Sequence, residues 1–244
     1  MDLYSPIFTR ASTRKFDAKP LPADTLKDLE AYIASVKPLV PDVKLTHKIV
    51  GGSEVKGMAL PKAPHFLLIS GGPSAAGKEH PLRNTAAGFL YQHAELWLYA
   101  NGCATRWLGG AKGKAADPNH IIGIAFGKPS EPAARKPEDF KRKPLNEIAK
   151  GADSRLEAVR LAPSGMNGQP WYFIVDAGKI HVYYKASLGG LAGKLYNLTS
   201  LDVGIALCHL DVASEHEGKP FNFAVIRSGT PAPPQGFTYV GTAE

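Results

Sequence analysis

The sequence predicts a protein of mixed helices and strands built from two similar halves, and three sets of matching segments predict it. ProHisPheLeuLeuIleSerGlyGly, starting at Pro64, has a counterpart in ProTrpTyrPheIleValAspAlaGly, starting at Pro170; each is a proline-led apolar strand ending in a glycine-containing turn. Gly88, His93, Glu95, Gly102 and Trp107 match Gly204, His209, Asp211, Gly218 and Phe223 at a constant offset of 116 residues, and both segments read as an amphipathic helix ended by glycine. IleGlyIleAlaPheGly, ending at Gly127, parallels GlyPheThrTyrValGly, ending at Gly241. The matches keep their order, which duplication explains better than chance. The halves fall at residues 1–135 and 136–244.

The remaining elements follow in order. Thr25 and Asp28 give a capping-box-like start to a helix in which Leu26, Leu29, Ile33 and Val36 recur at helical spacing. Residues 36–64 then run through ProLeuValProAspVal and have no counterpart in the second half. In that half, Ser154 and Glu157 form a capping box that opens a short helix through Leu156, Val159 and Leu161. Pro163 disfavours helix at Ala162, and Gly165 and Gly168 allow the backbone to approach a ligand closely.

Composition sets the class. With 244 residues, 44% of them hydrophobic and 21% charged, the chain has material for one large core or two small ones, and disorder is excluded as the default. Cys103 and Cys208 are isolated, without metal or redox spacing, which implies a reducing compartment; a cytoplasmic location is expected. MetAspLeuTyrSerPro does not resemble a signal peptide, and apolar runs such as residues 121–126 are too short to span a bilayer, so no membrane association is expected. The net charge of +7 would suit a nucleic-acid binder. Yet the densest basic patch, Arg135, Lys136, Lys141, Arg142 and Lys143, contains Glu138 and Asp139, is flanked by Pro137 and Pro144, and has the single aromatic Phe140 rather than the interleaved series a stacking platform requires. It reads as a solvated connection, and no nucleic-acid partner is expected.

Two short runs carry the chemistry. In ArgAlaSerThrArg, residues 10–14, the alternate residues Arg10, Ser12 and Arg14 share one side of an extended segment, so two guanidinium forks and a hydroxyl converge on one anion such as a phosphate. AlaProSerGlyMetAsnGlyGlnProTrp, residues 162–171, presents bare backbone amides and carbonyls, with the amide side chains of Asn167 and Gln169 as further partners for a flat polar-edged ring. Each half carries only one of these two runs.

Together the two runs resemble the FMN-binding signature of the nitroreductase family. The resemblance covers nearly the whole chain and is best to tandem members with two family-like halves in one polypeptide. It implies an α+β nitroreductase-like fold, with a mixed, mainly antiparallel sheet and flanking helices. It also implies a monomeric pseudo-dimer with one complete FMN site at the seam. Carried over by position, Arg10 and Ser12 look like phosphate and ribityl contacts, and Arg14 like the basic residue near flavin N1 and O2. Pro163, Ser164, Gly165, Met166 and Asn167, supported by Gln169, would line the ring. TrpLeuGlyGly, residues 107–110, resembles the segment whose backbone faces flavin N5, which marks Leu108 and Gly109; LysArgLysProLeu, residues 141–145, resembles the basic segment that closes on the phosphate and marks Arg142. The implied chemistry is hydride transfer from NADH or NADPH through FMN to a small flat electron acceptor, such as a nitroaromatic or a quinone. The departures are Ala11 and Thr13 in the first run and the unmatched residues 36–64, which either shape or block the acceptor site.

Other readings compete. Gly72, Gly77 and Lys78 satisfy most of a P-loop spacing, but Glu79 stands where a magnesium-binding hydroxyl belongs and Pro81 interrupts the following helix. The eight histidines are scattered without metal-binding spacing, and His93 and His209 read as seam residues of matching helices. A flavin-binding sensor without turnover and a basic nucleic-acid or anion-binding protein without flavin stand beside the oxidoreductase.

Overall fold

In the computed structural model, residues 1–72, 79–131, 134–186 and 198–244 are described. The first half contains α1 (Tyr4–Thr9), α2 (Ala23–Ser35), β1 (Leu45–Gly51), β2 (Val55–Lys56), β3 (His65–Gly71), α3 (Arg83–Ala100), β4 (Ala104–Leu108), β5 (Lys112–Gly113) and β6 (His120–Gly127). The second contains α4 (Leu145–Ile148), β7 (Ala149–Lys150), α5 (Leu156–Arg160), β8 (Trp171–Asp176), β9 (Lys179–Tyr184), α6 (Thr199–His216), β10 (Phe223–Ala224) and β11 (Thr238–Ala243).

The strands divide between two main sheets. One has the order β1-β3-β6-β4, the other β10-β11-β9-β8-β7, and β2 pairs with β5. Every pairing is antiparallel except that of β7 with β8. The apolar run of β3 is buried along its whole length because both faces of its sheet are covered. Leu67, Ile69, Ile122, Ile124 and Phe126 enter the main core, shared with both long helices and the second sheet. On the opposite face Phe66, Leu68, Ala104, Leu108 and Ala125 pack with Phe16, Val55, Ala63 and Ala111 in a smaller core. The period-2 alternation of side chains thus feeds two cores from one strand.

The centre of the main core is the pair α3 and α6. Both are buried on nearly every side, so they are not the amphipathic helices the sequence suggested. The reason is that each lies between its partner helix and sheet residues, and a helix covered all round needs no polar face. The pair is close because a Cβ at Gly88 would fall 2.0 Å from the Leu201 carbonyl oxygen, and one at Gly204 would fall 1.9 Å from that of Thr85. Each helix ends on a left-handed glycine. Gly102 and Gly218 donate to the carbonyls of Tyr99 and Glu215, and the following N–H groups, of Cys103 and Lys219, donate to Leu98 and Ser214.

Two helix starts differ from the sequence expectation. α2 begins at Ala23, directly after Pro22, and no side chain caps it; Thr25 already lies in its first turn, and Val36 is extended beyond its end. Ser154 does not cap α5. Its hydroxyl donates to Glu217, Glu157 pairs with Arg160, and the carboxylate of Asp153 takes the N–H of Arg155 instead. At α2 the helix starts two residues earlier than the expected box, and at α5 the hydroxyl is taken by a partner distant in sequence.

Candidate functional site

Residues 10–14 run along β4. Ser12 bridges Thr105 in parallel, and the Thr13 N–H donates to the Thr105 carbonyl at 3.0 Å. Ala11 and Thr13 point inward, while Ser12 and Arg14 are exposed. Arg10 breaks the expected pattern: it does not stand beside Ser12 and Arg14, but turns inward to 2% exposure, and its Nε donates to Glu95 Oε1 at 2.8 Å. Glu95 on α3 is fully buried, and a carboxylate withdrawn from water costs several kcal/mol unless it is paired, so it draws the guanidinium in.

The 162–171 run is a strained, heavily fastened loop. A 3-10 turn spans Gly165–Asn167, and three L-residues, Met166, Asn167 and Gln169, hold left-handed φ angles of 52°, 57° and 48°. The Gly165 N–H donates to Asp202 Oδ1 at 3.0 Å, and the Gln169 N–H donates to the Ser164 hydroxyl at 3.0 Å. The Asn167 amide donates to the Lys141 carbonyl at 2.6 Å and accepts from Arg142 at 2.5 Å; Gln169 Oε1 accepts from the Lys143 N–H at 2.8 Å. The amides that the sequence offered to a ligand are therefore used to fasten residues 141–143. Burial pushes the Asp202 carboxyl up to about 7, against the opposing effect of the Gly165 hydrogen bond.

Arg142 is where the two runs approach each other. Its other nitrogen donates to the Leu161 carbonyl at 3.3 Å, and its guanidinium lies 5.5 Å from the Phe140 ring centroid, with Arg135 5.6 Å from the same ring. Burial, followed by repulsion from Arg10, Arg135 and Arg160, lowers its pKa to about 10. Its buried Nε has no hydrogen-bond partner among the described residues. Arg10 and Arg160 have carboxylate partners, Glu95 and Glu157, whereas Arg135 and Arg142 have none among the described residues. Crowded, partly desolvated guanidinium groups with a spare buried donor suit a phosphate, which provides both countercharge and acceptor oxygens.

Leu108 closes β4. Its carbonyl accepts the Ala111 N–H at 3.2 Å, which leaves Gly109 and Gly110 exposed on a tight turn. Residues 36–64 supply β1, the edge strand beside β3, and then reach this turn: a Cβ at Gly57 would sit 2.5 Å from the Gly110 carbonyl oxygen. Of the P-loop-like residues, Gly77 and Lys78 lie outside the described residues, while the Gly72 N–H donates to the Lys44 carbonyl. His93 and His209 lie between α3 and α6: His93 is 3.1 Å from Asp211 across the helix pair, and His209 meets Gln92 at 3.3 Å. Sequence reasoning missed Gln92, Glu95, Arg160 and Asp202. For Gln92, Glu95 and Asp202 the signal was a polar residue within a long, largely apolar helix.

A family model described as "Putative TM nitroreductase" matches residues 2–214. The chain belongs to this nitroreductase family. Its fold is the α+β nitroreductase-like one, shared with the "putative nitroreductase" Tm1586 from Thermotoga maritima. That structure is 19% identical, the match covers 100% of this chain and 92% of that one, and the TM-score is 0.68. A nitroreductase family protein from Clostridium difficile is 15% identical over 60% of this chain and 95% of its own, with a TM-score of 0.45. A "putative nitroreductase in complex with FMN" from Desulfovibrio desulfuricans is 18% identical over 60% and 94%, with a TM-score of 0.44. No curated protein matches this nitroreductase-family chain significantly. Among its described residues no helix is long and apolar enough to cross a membrane.

Proposed function

We propose that the chain is an FMN-dependent oxidoreductase that moves hydride from NADH or NADPH to a flat, electron-poor acceptor such as a nitroaromatic or a quinone. The observation that carries this reading is Arg142, whose unpartnered Nε lies among arginines while its terminal nitrogen holds Asn167 of the 162–171 loop. A phosphate-binding group and a ring-lining loop are thereby joined by one side chain. Arg142 and Arg135 would hold the FMN phosphate, with Ser12 and the remaining N–H groups of Arg10. The backbone around Pro163, Ser164, Gly165 and Met166, and that of Leu108 and Gly109, would face the ring, and exposed Arg14 would serve its electron-poor edge. Bound FMN would supply the two-electron chemistry. The protein's part is to fix the ring, neutralise the phosphate and keep water from the reacting face.

The same reading makes the chain a monomeric pseudo-dimer of residues 1–135 and 136–244. Support comes from α3 and α6, which keep the 116-residue offset at both ends, contact each other reciprocally through Gly88 and Gly204, and end in the same cap. The free, buried Cys103 and Cys208 are in keeping with a cytoplasmic setting.

A second reading, a flavin-binding sensor, is favoured by one contact, the close approach of Gly57 to Gly110 beside the proposed ring-facing turn. The test is the visible spectrum of the purified chain, its FMN content after saturation, and NAD(P)H oxidation with a quinone. One FMN per chain with sustained turnover supports the reductase; slow bleaching without cycling supports the sensor. Two FMN per chain contradict the split-site pseudo-dimer. A colourless chain that takes up no FMN overturns both flavin readings and returns the anion-binding protein.

A further inference from the structure

A buried chain of polar groups connects segments that the sequence singled out separately. The Ala158 carbonyl only accepts, so at 2.9 Å His209 Nδ1 carries the proton and Nε2 is an acceptor. Gln92 Nε2 then gives one hydrogen to His209 Nε2 at 3.3 Å and the other to Glu95 Oε2 at 2.7 Å. Gln92 Oε1 takes the Trp107 indole N–H at 3.1 Å. Glu95 Oε1 accepts from Arg10 Nε at 2.8 Å and from the Thr105 hydroxyl. Every donor and acceptor role at Gln92 is assigned, and no alternative orientation of its amide satisfies all three neighbours. Burial holds His209 down to about 3, which keeps it in the neutral form this pattern needs.

We propose that Gln92 is a positioning residue of the flavin site. Through Trp107 it holds the turn at Leu108 and Gly109, through Glu95 it holds Arg10, and through His209 it reaches α5, which leads into the 162–171 loop. Three elements that come from distant parts of the chain are thus kept in one register by a single buried amide. An apolar residue of similar volume would fill the space equally well, but a fully satisfied polar chain specifies one arrangement and leaves costly orphans in any other. The proposal rests on the flavin reading, because a register of ring-facing and phosphate-facing groups matters only if one ligand spans both.

The test compares wild type with Gln92→Met and Trp107→Phe, using Ile33→Val, in the core at α2, as a control for destabilisation alone. The readouts are thermal unfolding, the ratio of affinities for reduced and oxidised FMN obtained from the midpoint potential, and kcat and KM with NADH and a quinone. The expectation for both site variants is a change of about fivefold or more in the affinity ratio and a fall of about tenfold in kcat, with KM within about twofold. Ile33→Val should move only the unfolding temperature. If the site variants also move only that temperature, Gln92 is a structural residue and the proposal is overturned. Should Gln92→Met not fold, Trp107→Phe decides alone, since it removes one N–H and leaves the other bonds in place. A wild type that takes up no FMN sinks the flavin reading before any variant is made, whereas a failure confined to the variants sinks only the positioning role.

Discussion

Gly88 and Gly204 each lie against the backbone of the helix that carries the other. The nearest atoms are the carbonyl oxygens of Leu201 and Thr85, 2.0 and 1.9 Å from an added Cβ and so far inside van der Waals contact. Side chains can rotate away from a clash, but helix backbone cannot, so α3 and α6 would have to separate. Either Gly88→Ala or Gly204→Ala should lower stability by about 3 kcal/mol or more, despite the ~1 kcal/mol gain in helix propensity. The double variant should cost less than the sum, since helices already parted make room for the second methyl. Chemical denaturation midpoints check both statements.

Arg142 should dominate phosphate binding over Arg10. Arg10 is already paired with Glu95, whereas Arg142 has repelling neighbours and a buried donor without a partner among the described residues. Arg142→Ala is expected to weaken FMN binding by about 10–100-fold, the equivalent of one or two charge-assisted hydrogen bonds. It should leave affinity for riboflavin, which lacks the phosphate, within a few fold. Fluorescence titration with the two flavins measures the difference; equal losses for both would mean that Arg142 acts only by fastening Asn167.

Two buried groups give opposite pH dependences. The folded-state pKa of His209 is lowered by burial from 6.5 to about 3, so its contribution to stability is present above about pH 6.5 and is lost as the pH falls toward 3. Asp202 is raised by burial from 3.8 to about 7, so its contribution is complete below about pH 3.8 and is lost as the pH rises through 7. Between about pH 4 and 6.5 their slopes oppose each other and largely cancel. His209→Gln should therefore make stability rise as the pH falls through this window, and Asp202→Asn should make it fall. Urea unfolding of the three proteins at several pH values reads the slopes directly.

Met166 is fully exposed, yet its backbone is left-handed. With no side-chain contact to offset that conformation, Met166→Gly should stabilise the protein by about 0.5–1 kcal/mol. A gain in stability accompanied by weaker FMN binding would show that the strain keeps the loop shaped for its ligand. Asn167→Gly should behave in the opposite way, because its amide ties Lys141 and Arg142 to the loop.

The division between legible and illegible features follows the range of the interactions. Strands β3, β6, β8 and β11, the glycine ends of α3 and α6, and the turn character of residues 162–171 were readable because apolar runs, glycine and proline act locally. The caps at Thr25 and Ser154 looked equally local, but Pro22 already starts one helix, and Glu217, 63 residues away, takes the other hydroxyl. The two chemical runs were legible as strings; their side-chain roles were not. The sequence offers Arg10 to a phosphate and Asn167 and Gln169 to a ring, but Glu95 faces Arg10 and residues 141–143 lie against the two amides, partners that spacing along the chain does not reveal.

By itself the sequence determined the family, the mixed α and β elements and the segments to which the proposed flavin site is assigned, since each depends on residue type and spacing along the chain. Only the tertiary structure decided that the strands split into two main sheets, that the long helices are buried on nearly every side, that Arg10 is neutralised and that Arg142 Nε has no partner among the described residues. Those outcomes depend on which groups meet across tens of residues in a medium of low dielectric. There a charge or an amide must find a partner, and the fold, not the neighbouring sequence, chooses which one.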